Sequence, residues 1–185
     1  MTKAQLTVLA GPTAVGKGTV VAALTKRYPA LKVSVSATTR DPRPGELNGV
    51  HYYFVSPQEF DAMIERGDML EWALVHGKNK YGTPRGPVDE ALNAGHPVLL
   101  EIDLAGARQV RANRPDAQFI FLAPPSWEEL ERLLIGRGTE GPEEQARRLA
   151  TARVELQAAS EFDHVVINDD VERAVDELAR LIGLE

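Results

Sequence analysis

The chain has 185 residues, 43% hydrophobic and 26% charged, enough for one sizeable core and too few for two large domains. A formal net charge of −6 argues against a general binder of nucleic acid or anionic membrane, while leaving room for a small basic pocket. With no cysteine, disulfides, Cys-based zinc sites and thiol nucleophiles are excluded.

The first apolar run, Leu6–Ala10, reads as a strand. It is too short for a signal-peptide core, and no stretch approaches the ~20 apolar residues that span a bilayer. A cytoplasmic protein is the expectation. The run breaks into Gly11-Pro12-Thr13-Ala14-Val15-Gly16-Lys17-Gly18-Thr19, then resumes with helical spacing at Val20, Val21 and Leu24. A strand ending in Gly-x4-Gly-Lys before a helix is the context of a phosphate-binding loop. Its glycines turn backbone N–H groups inward, and the helix N-terminus adds positive potential. Lys17 brings a charge that can follow a moving phosphoryl group. A plain glycine turn beside a surface lysine is the bland alternative, disfavoured by the strand before and the helix after.

Residues 34–86 depart from an alternation of strands and helices and read as a small inserted subdomain. Here Arg40 and Arg43 lie beside Ser36, Thr38 and Thr39, with Tyr52 and Tyr81 further on. Planar guanidinium groups with hydroxyls nearby suit a phosphate dianion, though taken alone they also read as solvated charge and packed tyrosines. The strand pattern returns at 97–102, where the apolar run ends in Glu101 and Asp103, carboxylates two apart that a strand points the same way. Strand-like runs at 117–122 and 164–167 follow. Between them, Pro142, Glu143 and Glu144 suit a first helical turn, and Leu149, Ala152, Leu156 and Ala159 repeat on one face. The tail, residues 171–182, is helical. Together these predict an α/β fold: a parallel sheet with helices on both faces, an insert and a charged helical arm.

Seven stretches in order, "GPTAVGKGT", "SVSATTRDPRPGELNGVHYYFVS", "EFDAMIERGDMLEWALVHG", "YGT", "EIDLAGA", "GRGTEG…RRLATA" and "VINDD", resemble the guanylate kinase family over nearly the whole chain. The resemblance implies transfer of the γ-phosphoryl of Mg-ATP to GMP or dGMP, within purine nucleotide metabolism. It implies a P-loop NTPase core (1–33, 87–124 and 161–185), a mixed-sheet GMP-binding insert (34–86) and a helical lid (125–160). By similarity, residues 11–19 and Asn168 contact ATP, and Lys17, Arg137 and Arg148 stabilise the transferring phosphoryl. Ser36, Arg40, Arg43, Tyr52 and Tyr81 are expected on the GMP phosphate, with Glu71, Thr83 and Asp103 in the guanine pocket. Mg²⁺ is expected near Thr19 and Glu101, mainly through water.

The chemistry of Glu71 agrees, because guanine presents adjacent N1–H and N2–H₂ donors to a carboxylate's two oxygens. Three positions depart from the family pattern: Leu133 replaces an arginine, Ala105 a glutamine and Gly18 a serine or threonine. A binding module without catalysis, or a kinase for another monophosphate, remains the competing expectation. Small nucleotides are the expected partners; nucleic acid and membrane are not.

Overall fold

The computed structural model describes residues 3–136 and 140–185. Strand β1 (Leu6–Ala10) lies at the centre of a five-stranded sheet. Its neighbours are β7 (Val98–Glu101) and β8 (Gln118–Ala123). Outside them lie β2 (Lys32–Val33) and β9 (His164–Ile167), and every pairing is parallel. Because alternate residues point to opposite faces, each strand feeds two cores. Leu9, Leu99, Ile120 and Leu122 pack against helix α1 (Lys17–Arg27) and the C-terminal helix α7 (Val171–Ile182). Leu6, Val8, Val98, Leu100 and Phe119 face the other way, toward Val88 of α3 (Arg85–Asn93) and Ala107 and Val110 of α4 (Leu104–Asn113). The predicted parallel sheet with helices on both faces is therefore present. Strand β2 carried no apolar signal, because both its residues are exposed.

The second sheet has the order β4-β3-β6-β5 and mixes parallel with antiparallel pairing. Its strands are β3 (Ala37–Thr38), β4 (Tyr53–Phe54), β5 (Met69–Val75) and β6 (Asn79–Pro84). His76 and Gly77 both take positive φ in the turn joining β5 to β6, the twist a tight hairpin requires. One face of this sheet packs Ala37, Tyr53, Met69 and Trp72 against Phe60 of α2 (Pro57–Glu65). That assigns the alternate residues to the opposite face, where the predicted site lies.

Helices α5 (Trp127–Ile135) and α6 (Pro142–Gln157) form the arm, held together by Leu130, Leu134 and Ala152 with Leu149 and Leu156 against them. Helix α6 begins at Pro142 with Glu143 and Glu144 in its first turn, as its composition requires. The stripe expected to end at Ala159 ends earlier. The helix gives way to a 3-10 turn at Ala158–Glu161, and Ala158 is the buried residue there. A second correction concerns Asp103. Strand β7 stops at Glu101, so Glu101 and Asp103 do not share a strand face; Asp103 instead caps α4, accepting from Gly106 N at 2.7 Å.

Candidate active site

The loop between β1 and α1 is shaped by two backbone constraints. Gly16 caps α1 at φ 96°, in the left-handed region, and Ala14 also lies there at φ 71°. Gly11 is forced by crowding, since a Cβ would stand 2.4 Å from the Leu122 carbonyl oxygen. Val15 is buried and anchors the loop in the core, while Thr13, Ala14, Gly18 and Thr19 are exposed. Asn168, at the end of β9, donates from Nδ2 to the Val15 carbonyl at 2.9 Å. It braces the loop from behind, and its own Oδ1 is buried without a partner. Lys17 Nζ folds back onto the Gly11 carbonyl at 2.6 Å. Burial pushes the Lys17 ammonium down, opposed by the fields of Glu155, Glu101 and Asp103.

A second group assembles across the insert's hairpin. The ladder sets Glu71 opposite Thr83, and β6 places Tyr81 on the same face two residues earlier. Thr83 Oγ1 donates to Glu71 Oε1 at 2.8 Å. Asp103 approaches from the core: a Cβ on Gly106 would lie 3.1 Å from Asp103 Oδ1 and 3.2 Å from Glu71 Oε2. Burial pushes the Glu71 carboxyl above its usual range; the Thr83 hydroxyl opposes the shift and the charge of Asp103 adds to it. A half-buried carboxylate kept expensive in this way is a poised acceptor for a donor-rich ligand.

The third group is cationic. Arg40 reaches Glu46 with both terminal nitrogens, at 2.9 and 3.0 Å, over the rings of Tyr52 and Phe54. Tyr81 lies against the same guanidinium, and its ring meets Tyr52 edge-on at 5.9 Å. Arg43 is exposed, with its backbone N–H donating to Glu46 at 2.7 Å. The Arg40 guanidinium and the Arg43 amide hold the Glu46 carboxyl down at about 2. Ser36 precedes β3 in the phase of Thr38, which pairs with Tyr81. Thus Arg40, Tyr52 and Tyr81 are brought together, and Arg43 joins through Glu46.

Between loop and arm lies a cavity of about 620 Å³ lined by Thr13, Ala14, Arg132, Leu133, Leu134, Gly136 and Arg148. Arg148 pairs with Glu140 at 2.6 Å. Leu133, 53% exposed, gives this cavity an apolar wall where the family pattern has arginine. Arg137 lies outside the described residues. Glu101 stands on the loop's other side, its Oε1 3.9 Å from where a Gly18 Cβ would sit. Glu101 therefore faces the loop, and Asp103 faces Glu71.

Sequence reasoning missed Glu46, Gln109 and Glu155, and set Arg147 and Arg153 aside as solvated charge. Glu46 organises both arginines; its only signal was a carboxylate three residues after Arg43. Gln109 of α4 bonds the backbone N and O of Trp72 and so fixes the strand that carries Glu71; nothing local marked it. Arg147 lines a second cavity with Thr13, Glu144, Arg148 and Thr151. Glu155 lies further along α6, in helical phase with Arg148 and Thr151. Arg153, left out of the site, stacks on Trp127 at 4.0 Å and belongs to the packing of the arm.

A strand, a glycine loop with an inward lysine, and a helix opening at that lysine on a parallel sheet define a P-loop nucleotide-binding protein of the α/β class. Residues 3–185 match the family described as guanylate kinase. Guanylate kinases of Leifsonia xyli subsp. xyli and Thermobifida fusca are each 61% identical to the chain, over 96% and 97% of it and 70% and 91% of their own lengths. The crystal structure of guanylate kinase from Anaplasma phagocytophilum superposes with a TM-score of 0.71 at 30% identity, covering 99% of this chain and 86% of that one. The chain belongs to the guanylate kinase family, whose reaction is phosphoryl transfer from ATP to GMP.

Proposed function

We propose that the residues assembled above carry that reaction here, with GMP or dGMP as acceptor and Mg-ATP as donor. The observation that carries the reading is the meeting of two different sites at Asp103. Its Oδ1 converges with Glu71 Oε2 around Gly106, and two residues earlier Glu101 stands beside Gly18 of the phosphate loop. Donor phosphates lie over residues 11–19, and the acceptor's phosphate lies between Arg40, Arg43, Tyr52, Tyr81 and Ser36. Glu71 and Asp103 accept the paired donors of guanine, with Thr83 holding Glu71 in place. Adenine, lacking those donors, would leave a half-buried carboxylate unmatched.

The donor set suits Mg²⁺ that arrives with the nucleotide. Thr19 and Glu101 offer hard oxygen ligands beside the loop, and no cluster of three or more His, Cys, Asp or Glu is present among the described residues. Such a site fits an ion that keeps most of its waters and takes its remaining ligands from phosphate. When bound, Mg²⁺ neutralises phosphate charge and aligns the donor. The chain's own residues do the rest by positioning and electrostatics: Lys17 and Arg148, with Arg137, stabilise charge on the moving phosphoryl. An acceptor phosphate oxygen attacks directly, so no side-chain nucleophile is required.

We further propose that residues 34–86 and 125–160 close over the core to exclude water. The net charge of −6 supports small nucleotides rather than nucleic acid as partners. No helix among the described residues is long and apolar enough to cross a membrane; a cytoplasmic location remains part of the proposal. The test is a coupled assay with Mg-ATP and GMP, AMP, UMP or CMP. GMP is expected to exceed AMP in kcat/KM by roughly 10⁴-fold. GMP binding without turnover would leave a binding module, and comparable use of AMP would remove Glu71 and Asp103 from base recognition.

A further inference from the structure

Strand β5 is the outer strand of the smaller sheet, paired only with β6. An outer edge turns backbone N–H and C=O groups away from the sheet, and these need partners. Helix α4 of the core supplies them with side-chain amides. Gln109 Oε1 accepts from the Trp72 N–H at 3.0 Å, and its Nε2 donates to the Trp72 carbonyl at 3.0 Å. One turn on, Asn113 Nδ2 donates to the Leu70 carbonyl at 2.9 Å. Gln109 thus meets β5 as the backbone of a neighbouring strand would.

Edge protection alone would be served anywhere along β5, but these bonds fall on the two residues that flank Glu71. The ladder with β6 slips between Met69 and Glu71, a bulge of the kind that re-aims a side chain. Across it, Met69 and Trp72 pack within the insert, whereas Leu70 is buried in the core cluster that holds Val88, Ala107 and Val110. Glu71 is left facing α4: a Cβ on Gly106 would lie 3.2 Å from Glu71 Oε2 and 3.1 Å from Asp103 Oδ1. Asp103 is the cap of that same helix. Asp103, Gly106, Gln109 and Asn113 follow one another at helical spacing and share one face of α4. One rigid helix therefore carries one carboxylate and grips the backbone on both sides of the other.

We propose that Gln109 and Asn113 are positioning residues for base selectivity: by fixing the register of β5 on α4 they set the spacing of Glu71 and Asp103, and with it the preference for a purine that carries both N1–H and 2-amino donors. The proposal rests on the reading that Glu71 and Asp103 meet the base. Adjacent donors on a ring have a fixed separation, so two carboxylates match them only while their own spacing is held. Closure of residues 34–86 is then a turn about the seam between β5 and α4, which moves the arginines and leaves the two carboxylates together.

The test is the ratio of kcat/KM for GMP to that for IMP, whose ring keeps N1–H and lacks the 2-amino group, at saturating Mg-ATP. Gln109→Met keeps the length of the side chain and removes both bonds. Its ratio should fall roughly tenfold from the native value, through a higher KM for GMP, with the KM for Mg-ATP unchanged. The two acceptors are compared in one preparation, so a smaller folded fraction cannot move the ratio. A merely structural role predicts no change, and an unchanged ratio overturns the proposal.

Glu71→Gln, measured alongside, separates this proposal from the reading beneath it. If Glu71→Gln keeps the native ratio, the base reading falls and the proposal with it. If Glu71→Gln lowers the ratio while Gln109→Met does not, the positioning role alone is lost. Should Gln109→Met fail to fold, Asn113→Ala decides the matter, since Asn113 is exposed and has a single bond to β5. Its ratio should fall a few-fold, and a native ratio there overturns the proposal.

Discussion

Glu71, proposed above to recognise the base, occupies its place at a cost to the fold. Its carboxyl is held above the usual range chiefly by burial. The sign of the linkage follows. From the ordinary value of 4.5 up to the raised one, the folded state holds the proton that the unfolded state has lost, so stability falls as pH rises through that window. At neutral pH the ionised group is a net destabiliser of the ligand-free protein. Glu71→Gln should therefore raise the melting temperature at pH 7 and flatten that pH dependence. The same variant should lose most of its preference for GMP over AMP. A lower melting temperature would contradict the burial argument, and intact GMP preference would remove Glu71 from the base pocket. Thr83 and Gly106 belong to the same balance: one partly satisfies the carboxylate, and the other leaves room for Asp103 to approach.

At the scale of elements, the insert's turn-rich segment before β4 is organised by one carboxylate. Glu46 meets the Arg40 guanidinium and the Arg43 amide, and so sets the spacing of the two arginines. Its carboxyl is depressed to about 2, so this arrangement is complete above the usual carboxylate range and is lost only as pH falls toward that value. Glu46→Ala is expected to raise the KM for GMP several-fold with the KM for ATP unchanged, because Arg40 and Arg43 lose their alignment. A lower GMP KM would mean that Glu46 chiefly screens the arginines.

Elements differ in how much the sequence revealed. Strand β1, the loop and α1 were legible because apolar spacing, glycines and a lysine all act within a short stretch. Strand β2 and the two-residue strands of the insert were not, since each exists through pairing with a distant partner rather than through its own propensity. Tyr52 and Tyr81 were assigned to one site through the family resemblance, and their rings meet because β3 pairs with both β4 and β6. Gln109 bonding Trp72 across the sheet–helix boundary, and Glu155 arriving from the arm, depend on tertiary placement that no local pattern encodes. Asp103 was misread locally for the opposite reason: an apolar run does not reveal where its strand stops and a capping residue begins.

Over the whole molecule, the two regions proposed to grip anions sit on separate elements, with Glu101 and Asp103 between them. The phosphate loop is braced from behind by Asn168 and Val15, while the arginine pair rides on the smaller sheet. Gln109 ties helix α4 of the core to the smaller sheet at Trp72, and Asn113 of the same helix adds a bond to the Leu70 carbonyl. Such a layout suits reactants presented to one another from different bodies, each tail held while the space between is emptied of water. A crystal structure of the chain with ADP and GMP both bound tests this most directly. The account predicts the ADP phosphates over residues 11–19 and the GMP phosphate within hydrogen-bond distance of Arg40 and Arg43, its base against Glu71. A GMP phosphate lying away from both arginines, or a base away from Glu71, would contradict it.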